Sequence, residues 1–205
     1  MSELLVEARG AVEIATLNRP GRLNALNEGL VEELNAYFGG LAERPDVRVV
    51  ILRGAGRGFC AGLDIQEDRS SDETPVLRTL RTQTRIGNIY RKMRACPQPI
   101  IALGHGAAAG GGLSLLLASD VRYAAPSFRC NAAYIRIGLG GCDMASSYFL
   151  PRLVGASLAS EMILTGRFID AGRALSAGLV SEIVEEEALL GRGLALADEM
   201  LATSP

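Results

Sequence analysis

Two glycine-rich segments are the parts of this sequence best suited to hold a developing negative charge. They run from Gly54 to Gly62 and from Gly104 to Gly112, and each follows an apolar run typical of a buried strand. Glycine lets a ligand approach the backbone closely, but consecutive glycines at a helix start cost roughly 1 kcal/mol each relative to alanine. One free N–H from each segment, converging on a single point, would form an oxyanion hole that offsets this cost.

Two other interpretations of these segments stay open from the residues alone. Glycines also let a helix and a strand pack in direct contact. The second segment contains Gly104-x-Gly106-x-x-Ala109 between a predicted strand and a predicted helix, with Asp120 downstream as a candidate ribose acceptor. This weak dinucleotide fingerprint keeps a nucleotide-dependent oxidoreductase as an alternative. Because two such segments follow buried strands, we favour a binding site.

Asp143 is the carboxylate best placed for acid–base chemistry. It precedes a predicted helix, so it either caps that helix or moves a proton. His105, the only histidine, stands in the second glycine segment, where a structural hydrogen bond is its expected role and titration the alternative. The cysteines form no CxxC pair, which predicts no metal site and four reduced, mostly buried thiols. They stand at positions 60, 96, 130 and 142.

Composition excludes several classes of partner. The chain has 205 residues, of which 48% are hydrophobic and 21% charged, and this is ordinary for a globular protein. A formal net charge of −2 provides no basic excess for nucleic acid or an anionic membrane. Residues 113–118, the longest apolar run, are too few to span a bilayer, and the first residues do not resemble a signal peptide. We therefore expect a cytoplasmic protein.

The elements that must position these residues are those of an α/β protein. Apolar periodicity predicts strands at 4–8, 12–17, 47–52, 100–103, 120–124 and 181–184, and helices at 28–42, 75–95, 113–119, 144–153, 157–164, 170–177 and 187–201. Asn27 is the expected cap of the first helix. The basic run in helix 75–95 is interpreted as a solvated face, and polar residues 66–74 predict a loop. Residues 1–140 form a core of ββα units that holds the site, and residues 141–205 form a helical region of the same domain.

Taken together, four segments resemble the crotonase superfamily of enoyl-CoA hydratases and isomerases. The match covers nearly the whole chain in the order typical of the family. The segments are Asn18-Arg19-Pro20 with Asn24-Ala25-Leu26, Phe59-Cys60-Ala61-Gly62-Leu63-Asp64, residues 106–112 with Ser119-Asp120, and Leu164-Thr165-Gly166-Arg167 with Ala177-Gly178-Leu179-Val180.

The resemblance implies a spiral of ββα units, assembled as a homotrimer or a dimer of trimers, that acts on an acyl-CoA thioester. Coenzyme A would enter as part of the substrate, and no separate cofactor or metal is implied. The N–H groups of Leu63 and Gly111 match the two oxyanion donors. The residues that match segments around the coenzyme A moiety are Arg22, Asn24, Ala25, Ala61, Gly62, Leu63, Asp64, Ile65, Ala107, Ala109 and Gly110.

The sequence departs from the family pattern at the acid–base positions. Typical hydratases carry two glutamates, whose positions correspond here to Ser114 and Tyr134. Ser114 is a poor base, and tyrosine is mostly protonated at neutral pH. Asp143 resembles the position of a proton-shuttling aspartate in dienoyl-CoA isomerases and is therefore the best acid–base candidate. A catalytically silent acyl-CoA binder with the same fold is the main alternative.

The C-terminal region is expected to be shortened. Family members usually continue with further helices after a segment like Thr203-Ser204-Pro205. The resemblance therefore predicts a partial helical region here.

Overall fold

The computed structural model describes residues 2–66 and 74–203. Most of the predicted polar loop at 66–74 lies outside these residues. The strands are β1 (Leu4–Arg9), β2 (Val12–Leu17), β3 (Val49–Gly54), β4 (Ile100–Gly104), β5 (Ala107–Ala109), β6 (Val121–Ala124), β7 (Arg129–Asn131), β8 (Ile169–Asp170) and β9 (Glu182–Ile183). The α-helices are α1 (Glu28–Gly40), α2 (Pro75–Ala95), α3 (Gly111–Ala118), α4 (Ser146–Thr165), α5 (Ala171–Ser176) and α6 (Leu189–Leu201).

A six-stranded sheet forms the centre of the molecule. Its order is β1-β2-β3-β4-β6-β9, in which β1 and β2 form the predicted antiparallel hairpin and the remaining pairs are parallel. Nearly every residue of β3 and β4 is buried, because helices cover both faces of the sheet. The apolar run without alternation therefore predicted this double burial correctly.

Each face of the large sheet has its own apolar core. Side chains such as Leu17, Leu52 and Ala102 pack against α1, α2 and α3 on one face. Ile14, Ile51 and others pack against α6 on the opposite face. The parallel strands place the glycine segments that follow β3 and β4 at the same edge of the sheet.

A second, three-stranded sheet was not predicted. Its order is β5-β7-β8, with β5 parallel to β7 and β7 antiparallel to β8. The second glycine segment is therefore not a continuous loop, because its residues 107–109 form β5, and α3 begins at Gly111 rather than at residue 113. The repeated strand, strand, helix order of the chain agrees with the predicted spiral of ββα units.

The C-terminal region is mainly helical, as predicted, and shares the cores of the rest of the chain. The run called α4 is interrupted at Gly155, whose φ is 77° and ψ 160°, so it contains the two predicted helical segments. Leu150 and Met162 belong to the core with α1 to α3, and α6 packs on the large sheet. No helix within the described residues has the length and apolarity needed to cross a membrane.

Candidate active site

The two glycine segments are joined backbone to backbone. The N–H of Cys60 donates to the Ala107 carbonyl at 3.1 Å, and the N–H of Ala109 donates back to the Cys60 carbonyl at 2.9 Å. The N–H of Phe59 donates to the His105 carbonyl at 2.8 Å. We call these contacts the loop seam. The seam fixes the separation of the segments without the help of any side chain.

Glycine is required where the segments meet. A Cβ at residue 112 would lie 2.1 Å from the Cys60 carbonyl oxygen, a distance that no real side chain tolerates. A Cβ at residue 62 would lie 2.6 Å from the Ala109 carbonyl oxygen and 3.3 Å from the Gly111 nitrogen. Tight packing is therefore confirmed at these glycines, and it brings the predicted donors of the two segments to one place.

A cavity of about 150 Å³ lies over the seam and contains both predicted oxyanion donors in its wall. Within residues 2–66 and 74–203, the N–H groups of Leu63 and Gly111 donate to no protein acceptor. Both N–H groups can therefore donate to a ligand. For Gly111 this follows from its position in the first turn of α3, where N–H groups have no partner within the helix. The lining residues are Leu26, Ala61, Gly62, Leu63, Ile65, Gln83, Ile86, Gly110, Gly111, Ala133, Tyr134, Ile137, Leu139, Asp143 and Met144.

Asp143 contributes a half-buried carboxyl group to this cavity. Its Oδ2 atom is buried and has no hydrogen-bond partner among the described residues. Burial raises the pKa of Asp143 above its ordinary value, and the Met144 N–H and the Gln83 side chain offset part of this rise. A carboxyl whose pKa is raised by burial in a cavity is a candidate for general acid–base work.

The capping interpretation of Asp143 is wrong. A short 3-10 helix spans Asp143–Ala145, and α4 begins after it at Ser146 with no side-chain cap. Met144 and Ala145 both adopt left-handed backbone angles, with φ of 48° and 61°. Two consecutive non-glycine residues in this region store roughly 1–2 kcal/mol each, and such strain clusters at functional sites.

Gln83 is a site residue that the sequence analysis missed. It projects from α2 into the cavity beside Asp143, and its Oε1 atom is also buried without a partner among the described residues. These two buried oxygen atoms have no hydrogen-bond partner among the described residues, so each can accept a hydrogen bond from a ligand. The signal was present, because Gln83, Ile86 and Tyr90 are spaced along one face of a helix.

Ser114 and Tyr134 form a buried hydroxyl cluster with Ser146. The Tyr134 Oη lies 2.6 Å from the Ser114 Oγ and 3.0 Å from the Ser146 Oγ, and it donates to the Gly110 carbonyl at 2.7 Å. Burial raises the pKa of Tyr134 to about 12, with a smaller opposing effect from the two serines. Tyr134 lines the cavity, whereas Ser114 is fully buried beneath it and outside the cavity wall.

The residues predicted to surround coenzyme A divide into two groups. Ala61, Gly62, Leu63, Ile65 and Gly110 line the cavity. The others do not line it; they are Arg22, Asn24, Ala25, Asp64, Ala107 and Ala109.

Asn24 organises the first glycine segment from below. It is fully buried, and its side-chain amide donates to three carbonyls at 2.8–3.1 Å, those of Ala55, Gly58 and Phe59. The amide of this side chain is therefore engaged within the protein, and the predicted contact of coenzyme A with Asn24 stays a prediction. Ala25, at 7% exposure, is also buried.

Asp64 and Arg22 are held by other polar groups. Asp64 is 6% exposed and forms an ion pair with Arg19 at 3.0 Å. Arg22 is exposed and donates to the side chain of Gln66. Ala107 and Ala109 belong to the backbone pairing of the loop seam.

The dinucleotide alternative fails on local structure. In that fingerprint a loop leads from the strand into a helix, but here residues 107–109 form β5 between β4 and α3.

His105 makes the expected structural contact, because its Nε2 lies 2.8 Å from the Gly56 carbonyl oxygen. All four thiols are free; those of Cys60 and Cys130 are buried, Cys96 is half-buried and Cys142 is exposed.

Comparisons with known proteins agree with this geometry. The enoyl-CoA hydratase/isomerase family model matches residues 7–205. The probable enoyl-CoA hydratase echA12 of Mycobacterium leprae is 39% identical over 200 residues, which are 96% of this chain and 68% of that protein. The human mitochondrial Delta(3,5)-Delta(2,4)-dienoyl-CoA isomerase is 34% identical over 92% of this chain and 60% of its own length. The crystal structure of an enoyl-CoA hydratase from Bacillus anthracis superposes with a TM-score of 0.91 at 33% identity, covering 99% of this chain and 78% of that one.

Proposed function

Because this chain belongs to the enoyl-CoA hydratase/isomerase family, we propose that it holds the thioester carbonyl of an acyl-CoA between the N–H groups of Leu63 and Gly111. The chain is an acyl-CoA-binding enzyme of the hydratase/isomerase type. The observation that carries the proposed mechanism is the common cavity. Its volume is about 150 Å³, and Leu63, Gly111 and Asp143 all line it.

The two N–H groups act on charge that develops during the reaction. A thioester carbonyl gains negative charge when its α-carbon loses a proton or its β-carbon is attacked. Fixed donors bind this enolate-like oxygen more strongly than the ground-state carbonyl, and this difference lowers the barrier. One such donor contributes about 3–4 kcal/mol in enzymes that use an oxyanion hole. Main-chain donors depend on no side chain, so leucine and glycine serve equally well.

Asp143 is the group that moves the proton. Burial raises the pKa of this carboxyl toward the operating pH, and general acid–base catalysis is most efficient when the two are similar. The Gln83 side chain contacts the carboxyl and holds it in place. Tyr134 stays protonated because its pKa is about 12, and Ser114 lies outside the cavity, so neither supplies a base at neutral pH.

A single carboxylate favours double-bond isomerisation over hydration. Among the described residues that line the cavity, Asp143 is the only one with a carboxyl group. One carboxylate suffices to remove a proton from one carbon and return it to another. Hydration additionally requires a group that takes a proton from water while another delivers one to the α-carbon. We keep both reactions within the proposal and rank isomerisation first.

Binding of the coenzyme A moiety is assigned to the first glycine segment. Ala61, Gly62 and Ile65 line the same cavity as the donors and would contact the pantetheine arm. Arg22 is exposed, donates to the side chain of Gln66 next to Ile65, and supplies a cation for a phosphate. No separate cofactor is part of the proposal, since coenzyme A arrives with the substrate.

Assembly and location complete the proposal. We propose a cytoplasmic homotrimer or dimer of trimers, supported by the family resemblance and by large apolar side chains at the surface. These include Tyr148, Leu164 and Phe168, with exposures of 56%, 72% and 41%. Association would remove such side chains from water. Sedimentation equilibrium of the purified chain measures the mass of the assembly.

Replacing Gly111 by proline tests the oxyanion donor. Gly111→Pro deletes the N–H, whereas Gly111→Ala keeps it and adds a comparable Cβ, 2.9 Å from the Leu26 Cδ1 atom and 3.0 Å from the Tyr90 hydroxyl oxygen. We expect Gly111→Pro to lower kcat about 100- to 1,000-fold relative to Gly111→Ala. The measurement is turnover of α,β-unsaturated enoyl-CoA substrates, with hydrated and double-bond-shifted products separated by mass spectrometry.

Two outcomes would contradict the proposal. Equal turnover by folded Gly111→Pro and Gly111→Ala would remove Gly111 from the mechanism. Tight binding of butyryl-CoA by the unmodified chain, with no conversion of any enoyl-CoA, would favour the silent binder instead.

A further inference from the structure

The carbonyls on both sides of Gly111 are held by buried tyrosines. The phenol of Tyr134 donates to the Gly110 carbonyl at 2.7 Å, and the phenol of Tyr90 donates to the Gly111 carbonyl at 3.0 Å. Tyr90 comes from α2 and Tyr134 from a 3-10 helix at Ala133–Ile137, so two distant elements converge on consecutive peptide groups. Their side chains are 2% and 4% exposed.

The geometry points to a new role for one of these phenols: we propose that Tyr134 is a positioning residue that aims the Gly111 N–H at the thioester oxygen and strengthens it as a donor. This inference rests on the proposed oxyanion site. It concerns neither direct substrate contact nor proton transfer by either tyrosine.

Peptide planarity links the Tyr134 contact to the oxyanion donor. The Gly110 carbonyl and the Gly111 N–H belong to the same peptide group, in which they point in opposite directions. A hydrogen bond that fixes the carbonyl oxygen therefore fixes the direction of the N–H. The Gly110 carbonyl also accepts the N–H of Ser114 at 3.1 Å, so this peptide group cannot rotate without losing two hydrogen bonds.

The hydroxyl cluster adds polarisation to this orientation. A phenol has one hydrogen, and that of Tyr134 is committed to the Gly110 carbonyl. The hydroxyls of Ser114 and Ser146, at 2.6 Å and 3.0 Å, must therefore donate to the phenolic oxygen. The result is a chain of donors from the serines through Tyr134 to the peptide that ends in the Gly111 N–H. Hydrogen bonds in such a chain strengthen one another at low dielectric.

Both phenols keep their protons over the working range of pH. Burial raises the pKa of Tyr134 to about 12 and that of Tyr90 well above its ordinary value. A protonated phenol can donate to a carbonyl at any pH at which the chain is folded. The role of Tyr134 is accordingly that of a fixed donor.

Tyr134→Phe tests the inference, because it removes the hydroxyl and keeps the ring that lines the cavity. The readout is the infrared stretching frequency of the thioester carbonyl in bound butyryl-CoA labelled with carbon-13 at that carbon. A strong oxyanion donor lowers this frequency relative to the free ligand. We expect Tyr134→Phe to recover at least about half of the lowering, and to reduce kcat about tenfold with a smaller change in KM.

Tyr123→Phe is the matched control, since Tyr123 is also buried but packs on the opposite face of the large sheet. Its carbonyl frequency should equal that of the unmodified chain. A folded Tyr134→Phe variant with the full frequency lowering would overturn the inference, even if its stability fell. If the unmodified chain itself shows no lowering on binding, the oxyanion site fails rather than the tyrosine contacts.

Discussion

At the scale of single residues, Asp143 is the side chain on which the proposed chemistry depends. Asp143→Asn keeps the size of the group and removes its ability to take a proton. We expect turnover of enoyl-CoA to fall about 100- to 10,000-fold while the affinity for butyryl-CoA stays within a fewfold range. Steady-state kinetics and calorimetry measure the two quantities. Asp170→Asn, at the cap of α5, is a control that removes a carboxylate that does not line the cavity.

The pH profile supplies a second prediction for the same residue. Burial raises the pKa of Asp143, so the basic, proton-accepting form appears only above the ordinary aspartate value of 3.8. We expect kcat/KM for isomerisation to rise with pH through the raised pKa and then to level off. An acidic limb that persists unchanged in Asp143→Asn would assign the titration to another group.

The sequence identified some of the site residues and missed others for a physical reason. The glycine segments predicted one donor from each, the family resemblance named Leu63 and Gly111, and a carboxylate before a helix pointed to Asp143. All three residues line one cavity. Gln83 and Tyr90 were hidden in a basic helix that was interpreted as a solvated face. Their roles depend on which side of α2 packs inward, and this is decided by tertiary contacts rather than by charge.

At the scale of elements, the loop seam makes a prediction about stability. Gly112→Ala places a Cβ 2.1 Å from the Cys60 carbonyl oxygen, so either α3 or the first glycine segment must move. We expect the free energy of unfolding to fall by about 1–3 kcal/mol or more. Urea unfolding followed by circular dichroism measures it.

Gly191→Ala is the matched control for the seam. A Cβ at residue 191, in α6, meets nothing within 4 Å. Alanine should therefore increase the free energy of unfolding by about 0.5–1 kcal/mol through its better helix propensity. A Gly112→Ala variant as stable as the unmodified chain would show that the seam accepts a Cβ at residue 112 without loss of stability, against the prediction.

Strands and helices differed in how far the sequence predicted them. Long apolar periods located α2 at residues 75–95 and the strands of the large sheet to within a few residues. The three-residue strands β5 and β7 escaped, because three residues are too few to show an alternation of apolar and polar side chains, and β5 consists of alanines alone. They form because the loop seam and the neighbouring segment supply partners for their backbone groups, which is a long-range effect.

At the scale of the whole molecule, two ion pairs of Arg19 link the ends of the N-terminal hairpin to the residues that follow the first glycine segment. Arg19 contacts Glu3 at 3.1 Å and Asp64 at 3.0 Å. Burial alone would raise the pKa of Asp64, but hydrogen bonds from Arg19 and the Gln66 N–H lower it overall. A lowered folded-state pKa contributes stability above the unfolded value, and this contribution is lost as pH falls through the folded value.

Asp64→Asn should therefore be less stable than the unmodified chain by about 1.5–3 kcal/mol at pH 7, and the difference should shrink in acid. Urea titrations at a series of pH values measure the difference. Glu7→Gln, which removes an exposed ion pair with Arg9, should change stability little at any pH. Parallel stability curves for Asp64→Asn and the unmodified chain would contradict the assignment.

The loop seam also separates what can mutate freely from what cannot. Backbone hydrogen bonds join the two segments that carry the proposed carbonyl-binding donors, so replacements that spare the glycines of the seam leave the segments joined. The Asp143 carboxyl, which is proposed to transfer the proton, belongs to a different segment, after residue 140, that the seam does not hold. Exchange or loss of the acid–base group would therefore leave the proposed thioester-binding frame in place.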